Sequence, residues 1–296
     1  MLGAVDVGRV GIFLGQHASL SAVDLRRTGR LIEELGYGTI WVGEGFFREV
    51  FSQCAILLAA TERISIASGI ANIYARDAVA MANGARALAE AWPNRFVLGL
   101  GVSHAHLLSR RGHDYPKPVT AMREYLDAMS QAPYMSRLPE NPAPIVLGAL
   151  GPKMIALAGE RSSGAYTYFV DEAHTRGARE LLGPANFLAA NLPAVVAGDL
   201  AAARSIGDPQ TKLYLVMPNY TQNLARGGWA EEDLAGAGSD RLFDAIVAWG
   251  EGPQLRERVQ RHFDAGADHV ALNVVSATPD RPAEVELRVI AEALLR

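Results

Sequence analysis

A chain of 296 residues that is 49% hydrophobic can bury a large core and is not a disordered polymer. Its 28 Lys and Arg against 32 Asp and Glu leave a net charge of −4 with no basic block, which argues against nucleic acid or an anionic membrane as partner. One cysteine, Cys54, permits no internal disulfide and no thiolate metal cluster. No apolar run reaches the roughly 18 residues of a membrane span, and the start MLGAVDVGRVG lacks a signal-peptide pattern, so a soluble cytoplasmic protein is expected.

Residues 10–14 (VGIFL) form the first short apolar run, read as a strand. From the cap-type residues at 19–21, apolar positions Leu25, Leu31, Ile32 and Leu35 recur at helical spacing until Gly36. Strand two follows at 39–43 (TIWVG), a helix at 50–60, strand three at 64–70 (ISIASGI), and an alanine-rich helix at 77–90. Pro93-Asn94 turns the chain into strand four, which begins FVL and thins to GLG before Ser103 and His104. A long loop through Pro116 and Pro118 leads to a helix at 119–129. Strand five is 144–148, and Pro152 opens a helix at the position where proline is tolerated. Strand six is 165–170, a helix runs 172–182, and a weaker strand seven is placed at 195–197 with its neighbours. Residues 199–250 read as mostly helical, 254–265 as a helix ended by Gly266, 269–275 (HVALNVV) as strand eight, and 282–295 as a closing helix.

Near-continuous apolar strands alternating with helices imply a parallel sheet covered by helices. Eight such units favour an α/β fold of the closed (β/α)8 TIM-barrel type over a doubly wound sheet. No linker divides the chain. One domain over 1–296 is expected, with a helical insertion at about 199–250 between strands seven and eight, placed to act as a lid.

Chemistry in such barrels gathers at the C-terminal ends of the strands. Those ends carry His17 after strand one, Glu44 after strand two, and Ser68, Gly69 and Asn72 after strand three, with Tyr74 and Arg76 just beyond. Strand four delivers Gly101, Ser103 and His104, strand five Gly148 and Gly151, and strand six Tyr168. Small residues with a few polar groups suit a broad, flat ligand lying against backbone, and glycine inside a strand marks a close approach. Barrel packing is the competing explanation for Gly99 and Gly101. Glu44, His104 and His17 are the candidates for proton handling. GLGVSH is no dinucleotide fingerprint, since a His stands where the third glycine belongs. His104 and His106 could present two imidazoles to a metal. The ends of strands five and six add no ligand and His269 falls at the start of its strand, so no metal site is expected.

The segments LIEELGYGTIWVGEGFFRE, ATERISIASGIANIYARD, WPNRFVLGLGVSHAH, LGALGPKMIALAGERSSGA and HFDAGADHVALNVV run from residue 31 to 275. They resemble the bacterial luciferase-like monooxygenase superfamily. GVSHAH, RGHDY and GALGPKM are similar to its actinobacterial branch of F420-dependent oxidoreductases. The resemblance implies a luciferase-like barrel that binds coenzyme F420, or FMN in the alternative, at its C-terminal rim. The implied activity is hydride transfer between a deazaflavin and a small organic substrate. A non-prolyl cis peptide is implied at Gly69–Ile70, with Ser68–Gly69 second, forming a bulge behind the ring. Asn72, the backbone of Gly101, Val102 and Ser103, and that of Gly148, Ala149, Leu150 and Gly151 would contact the cofactor, as would Tyr168. The helix starting at Pro152 would point free N–H groups at a phosphate or a reduced ring.

Departures narrow what carries over. Deazaflavin enzymes that oxidise alcohols carry a His after the acidic residue ending strand two, where this chain has Gly45. Some carry a Glu where Val102 stands, and some a phosphate-gripping Lys where Asp171 stands. Proton transfer would then fall to Glu44, His104 or His17. Two alternatives stay open: a reduced-FMN monooxygenase using O2, and a non-catalytic relative that binds flavin or has lost its cofactor. Relatives are often dimers, so a homodimer is implied by analogy.

Overall fold

Eight parallel strands close into a barrel in the structure, a computed structural model that describes residues 2–278 and 281–296. They are β1 Val10–Phe13, β2 Thr39–Val42, β3 Ser65–Ser68, β4 Phe96–Gly101, β5 Ile145–Gly148, β6 Gly164–Tyr168, β7 Phe187–Val195 and β8 His269–Val274. Each pairs with the next, and β8 closes the ring by pairing with both β7 and β1. Helices follow the strands and bury their apolar stripes against the outer face of the barrel. Several of their starts are capped: the Ser21, Asp77 and Asp171 side chains accept from the backbone N–H groups of Asp24, Ala80 and His174. No helix among the described residues is long and apolar enough to cross a membrane.

The barrel interior is filled by alternating bulk. Trp41 from β2 and Tyr166 from β6 stack with ring centroids 4.4 Å apart, and Ala67, Ala189 and Ala271 make room for them. At the amino-terminal mouth, Leu2, Val5 and Val7 join this cluster from below. His269 also sits at that lower end, where its Nε2 accepts from the Trp41 indole N–H at 3.0 Å while Nδ1 pairs with the Gly8 carbonyl at 2.9 Å. It is remote from the C-terminal rim, as its place at the start of strand eight implies.

Two strands differ from the sequence reading. Strand seven is not centred on 195–197. It is the longest strand, Phe187–Val195, buried throughout. Alanines, Asn191 and Pro193 disguise it. Pro193 is tolerated because the carbonyls of Asn191 and Val195 turn toward the β6 side, and Pro193 must face the same way. On that side β6 has already ended, at Asn191↔Tyr168, and the short strand Ala248–Trp249 has not yet begun, at Ala194↔Ala248. The missing N–H therefore falls where no ladder bond exists.

Strand three is broken. β3 stops at Ser68, the Gly69–Ile70 peptide is cis as expected, and Ala71–Asn72 resumes pairing with β4 at Leu100 and Gly101. The Ser68 hydroxyl bridges the break by donating to the Gly99 carbonyl and accepting from the Gly99 N–H, both at 2.9 Å.

Between β7 and β8 the chain forms helices Leu200–Leu215, Pro218–Arg226, Glu231–Leu234 and Asp240–Ile246. They build a second core around Phe243, Leu242, Tyr220 and Leu215 that also takes in Phe169 and Val195 of the barrel. A further bond ties this segment down: the Trp229 indole N–H donates to Asp171 Oδ2 at 2.7 Å.

Candidate functional site

A cavity of about 930 Å³ opens at the C-terminal ends of the strands, under the helices that follow β7. Its floor is Ile70. The glycines of the FVLGLG strand explain this. A Cβ at Gly99 would meet the Ser68 carbonyl oxygen at 2.0 Å, and one at Gly101 would meet Ile70 Cδ1 and Cγ1 at 2.4 and 2.5 Å. At Gly148 a Cβ would touch Ile70 Cγ2 at 3.1 Å. These glycines therefore admit the bulge of residues 68–70. A ligand meets them only alongside the side chain they accommodate, which modifies the reading that they exist for a ring.

Most of the expected contact residues reach the lining: Gly69, Ile70, Gly101, Val102, Ser103, Gly148, Ala149, Leu150, Gly151, Pro152 and Tyr168 all face the cavity. Ser68 and Asn72 do not. Ser68 is fully buried in its bridge to Gly99, and Asn72 is 1% exposed, with its Oδ1 accepting from the Tyr74 N–H. His17 is 3% exposed in the 3-10 turn Gln16–Ser19 and is not part of the lining.

Glu44 reaches the wall but both its oxygens are taken. Oε2 accepts from the Asn72 backbone N–H at 2.8 Å and from Arg76 Nη1 at 3.0 Å, and Oε1 pairs with Arg76 Nη2. Arg76 also pairs with Glu49 at 2.8 Å and lies over the Phe51 ring. The Glu44 carboxylate is thus a brace between the ends of β2 and β3 rather than a group left open to a substrate.

Two imidazoles line the wall, the half-buried His104 and the exposed His106. His104 precedes the short helix Ala105–Ser109 and packs between His106 and Tyr220, ring centroids 5.8 and 5.6 Å away. Burial, reinforced by the neighbouring His106, lowers its pKa to about 4, against a hydrogen bond with Asn219 that acts the other way. It is therefore neutral at physiological pH.

One sector carries positive charge. The helix Pro152–Arg161 begins at the cavity with no side-chain cap, Gly151, Pro152 and Lys153 line it, and Arg226 Nη2 stands 3.8 Å from where a Gly151 Cβ would be. That combination suits an anionic group. Opposite chemistry lines the rest. Phe13, Tyr168, Tyr214 and Tyr220 form an aromatic wall with centroid separations of 4.8–5.9 Å between neighbours. The Tyr168 hydroxyl accepts from Asn273 at 2.9 Å, and burial drives the Tyr168 and Tyr220 pKa values far above the usual phenol range, so both stay protonated.

Sequence reasoning missed Phe46, Phe47, Tyr115, Leu213, Asn219 and Arg226, all of which line the cavity. The aromatic pair right after Glu44-Gly45, in a loop with no apolar periodicity, was the readable signal. The contributions of Leu213, Asn219 and Arg226 depend on how the inserted helices fold back, which no local pattern encodes. No group of three or more His, Cys, Asp or Glu placed to hold a metal occurs among the described residues.

Comparison with known proteins agrees with this architecture. The family model described as luciferase-like monooxygenase matches residues 6–269. A 5,10-methylenetetrahydromethanopterin reductase of Methanolobus tindarius is 28% identical over 152 residues, covering 46% of this chain and 47% of that protein. A Mycobacterium tuberculosis protein assigned by name to the coenzyme F420-dependent oxidoreductases is 28% identical over 227 residues, covering 62% of this chain and 65% of the relative. The matched part thus spans about half to two-thirds of these relatives. Among solved structures, a coenzyme F420-dependent tetrahydromethanopterin reductase from Methanopyrus kandleri superposes with a TM-score of 0.76 at 15% identity, covering 98% and 99% of the two chains. With 264 of its residues matched by the family model and the barrel built as the fold requires, the chain belongs to the luciferase-like monooxygenase family.

Proposed function

We propose that the protein is a cytoplasmic oxidoreductase using coenzyme F420 to move hydride to or from a small organic substrate. The observation that carries this reading is the pairing, in one cavity, of a backbone-lined floor over Ile70 with a cationic sector at Gly151, Lys153 and Arg226. A flat ring with an anionic tail needs both. The Mycobacterium tuberculosis relative named for coenzyme F420 supports the choice of coenzyme. When bound, the coenzyme supplies a carbon that accepts or donates hydride.

On this reading the backbone from Gly101 to Ser103 and from Gly148 to Gly151 lies along the coenzyme, with Tyr168 beside it. Lys153, Arg226 and the helix start hold its negative charge. His104 orients the substrate and exchanges a proton with it, since it is the more buried of the two imidazoles in the wall. Glu44 acts one step back, by fixing the Asn72 backbone that follows the bulge.

Fluorescence titration of coenzyme F420 and, separately, FMN into the purified protein tests the reading. Saturable F420 binding that Lys153→Ala plus Arg226→Ala weakens about tenfold is the expected result. Preferential FMN binding would shift the function to oxygen chemistry, and no binding of either would leave a non-catalytic relative.

A further inference from the structure

Large apolar side chains exposed on a protein surface are ordinary when scattered and informative when they converge. Four converge here. Phe46 and Phe47, 50% and 60% exposed, come from the loop after β2; Tyr115, 39% exposed, comes from the loop after β4; Leu213, 52% exposed, comes from the inserted helices. All four line the one cavity, although they belong to three separate elements.

The lining that the loops after β2 and β4 contribute holds no lysine or arginine. Glu44 is closed by Arg76. The Arg110 and Arg111 guanidiniums lie over the Phe46 ring at 4.4 and 5.3 Å, and Arg111 donates to the Gly45 carbonyl at 2.7 Å. Neither of these arginines is part of the lining. The Tyr115 hydroxyl donates to the Ser103 carbonyl at 3.4 Å, which leaves its ring as the available surface. Lys153 and Arg226, the lining cations with no acidic partner among the described residues, belong to the sector at β5, three strands round the barrel from β2. A volume of about 930 Å³ lies near the top of the range for small-molecule sites, so there is room for a coenzyme and a second molecule.

We infer that the substrate is an uncharged, largely apolar molecule seated at this mouth between the Phe46-Phe47 loop and Leu213. The inference rests on the coenzyme reading above for calling that molecule a substrate, but the binding preference itself does not. A carboxylate or phosphate ester entering this end would give up its hydration for aromatic and aliphatic surface with no lysine or arginine in the lining of the loops after β2 and β4 to meet it.

A matched pair of probes tests this: 2-decanone and decanoate, which differ chiefly in charge, are titrated by calorimetry into the wild type and into Phe47→Asp. Phe47 is exposed, so the variant should fold, and an unchanged melting temperature checks that it does. The ketone should bind at least tenfold more tightly than the acid, and Phe47→Asp should weaken the ketone at least tenfold. Equal or tighter binding of decanoate, or ketone binding indifferent to Phe47→Asp, would overturn the inference. The F420 titration on the wild type is read separately. Failure there with ketone selectivity intact would remove the coenzyme reading and leave the apolar site standing.

Discussion

Gly101 shows how little freedom a single residue has at this site. An alanine methyl there would have to push Ile70 aside, since Ile70 Cγ1 and Cδ1 lie at 2.5 and 2.4 Å from it. The way left for that side chain is into the cavity. Gly101→Ala should therefore cost about 1–3 kcal/mol of stability, as overpacking generally does, and weaken F420 binding about tenfold. Urea unfolding and the fluorescence titration, run side by side, check both. Full affinity in a stable variant would mean that Ile70 is not the floor. The spelling of strand four gave away that a close approach occurs here. It did not show that the approaching group is the protein's own side chain, because Ile70 arrives from a cis peptide two strand positions beyond Ser68. For the same reason Ser68 and Asn72, at strand ends as the site residues are, turn out to face the framework.

Between elements, the brace of Glu44, Arg76 and Glu49 holds the end of β2 to the chain that follows β3. The Glu44 side chain is 5% exposed and that of Arg76 12%. Removing one partner strands the other in a nearly dry place. Arg76→Met should cost about 3 kcal/mol, and Arg76→Met with Glu44→Gln should cost less than the sum of the two singles. A double-mutant cycle on urea midpoints measures this; strict additivity would show that the pair is not coupled. At this scale most helices and seven of the eight strands were legible, because apolar runs ended by Gly or Pro mark them plainly. The displaced strand seven was not, since its Pro193 is excused only by where β6 stops. The small helix Ala105–Ser109, inside a segment read as loop, is too short to show a period.

Across the whole molecule, two histidines far from the cavity join His104 in setting a response to acid. Burial lowers the pKa values of His262 and His269 to about 4, with lesser opposing pulls from Asp171 and from the Gly8 carbonyl and Asp268. Between pH 6.5 and 4 the unfolded chain binds protons that the fold refuses, so stability is full above about pH 6.5 and falls as pH drops. Each residue should cost about 2 kcal/mol between pH 7 and 5, the loss steepening toward about 1.4 kcal/mol per pH unit below pH 6.5. Urea midpoints at pH 7 and 5 should differ accordingly, and His262→Asn should remove about a third of the difference, since His104 contributes on the same footing. A midpoint that ignores pH over this range would show that these imidazoles are solvated. The barrel as a whole was legible from the eightfold alternation, whereas the shape of the inserted helices was not, since that depends on packing of Phe243, Tyr220 and Leu215 against β7 and Phe169.

The contact between Gly101 and Ile70 also bears on inheritance. A descendant could exchange one coenzyme for another by altering Lys153, Arg226 or the aromatic wall, and strand four would keep its GLG unchanged, because the bulge enforces it whatever is bound. Conversely, position 101 is free to vary only after position 70 has shrunk. Chains gathered by that spelling should therefore share a scaffold and differ in the redox partner they carry, so the partner has to be read from the cationic sector instead.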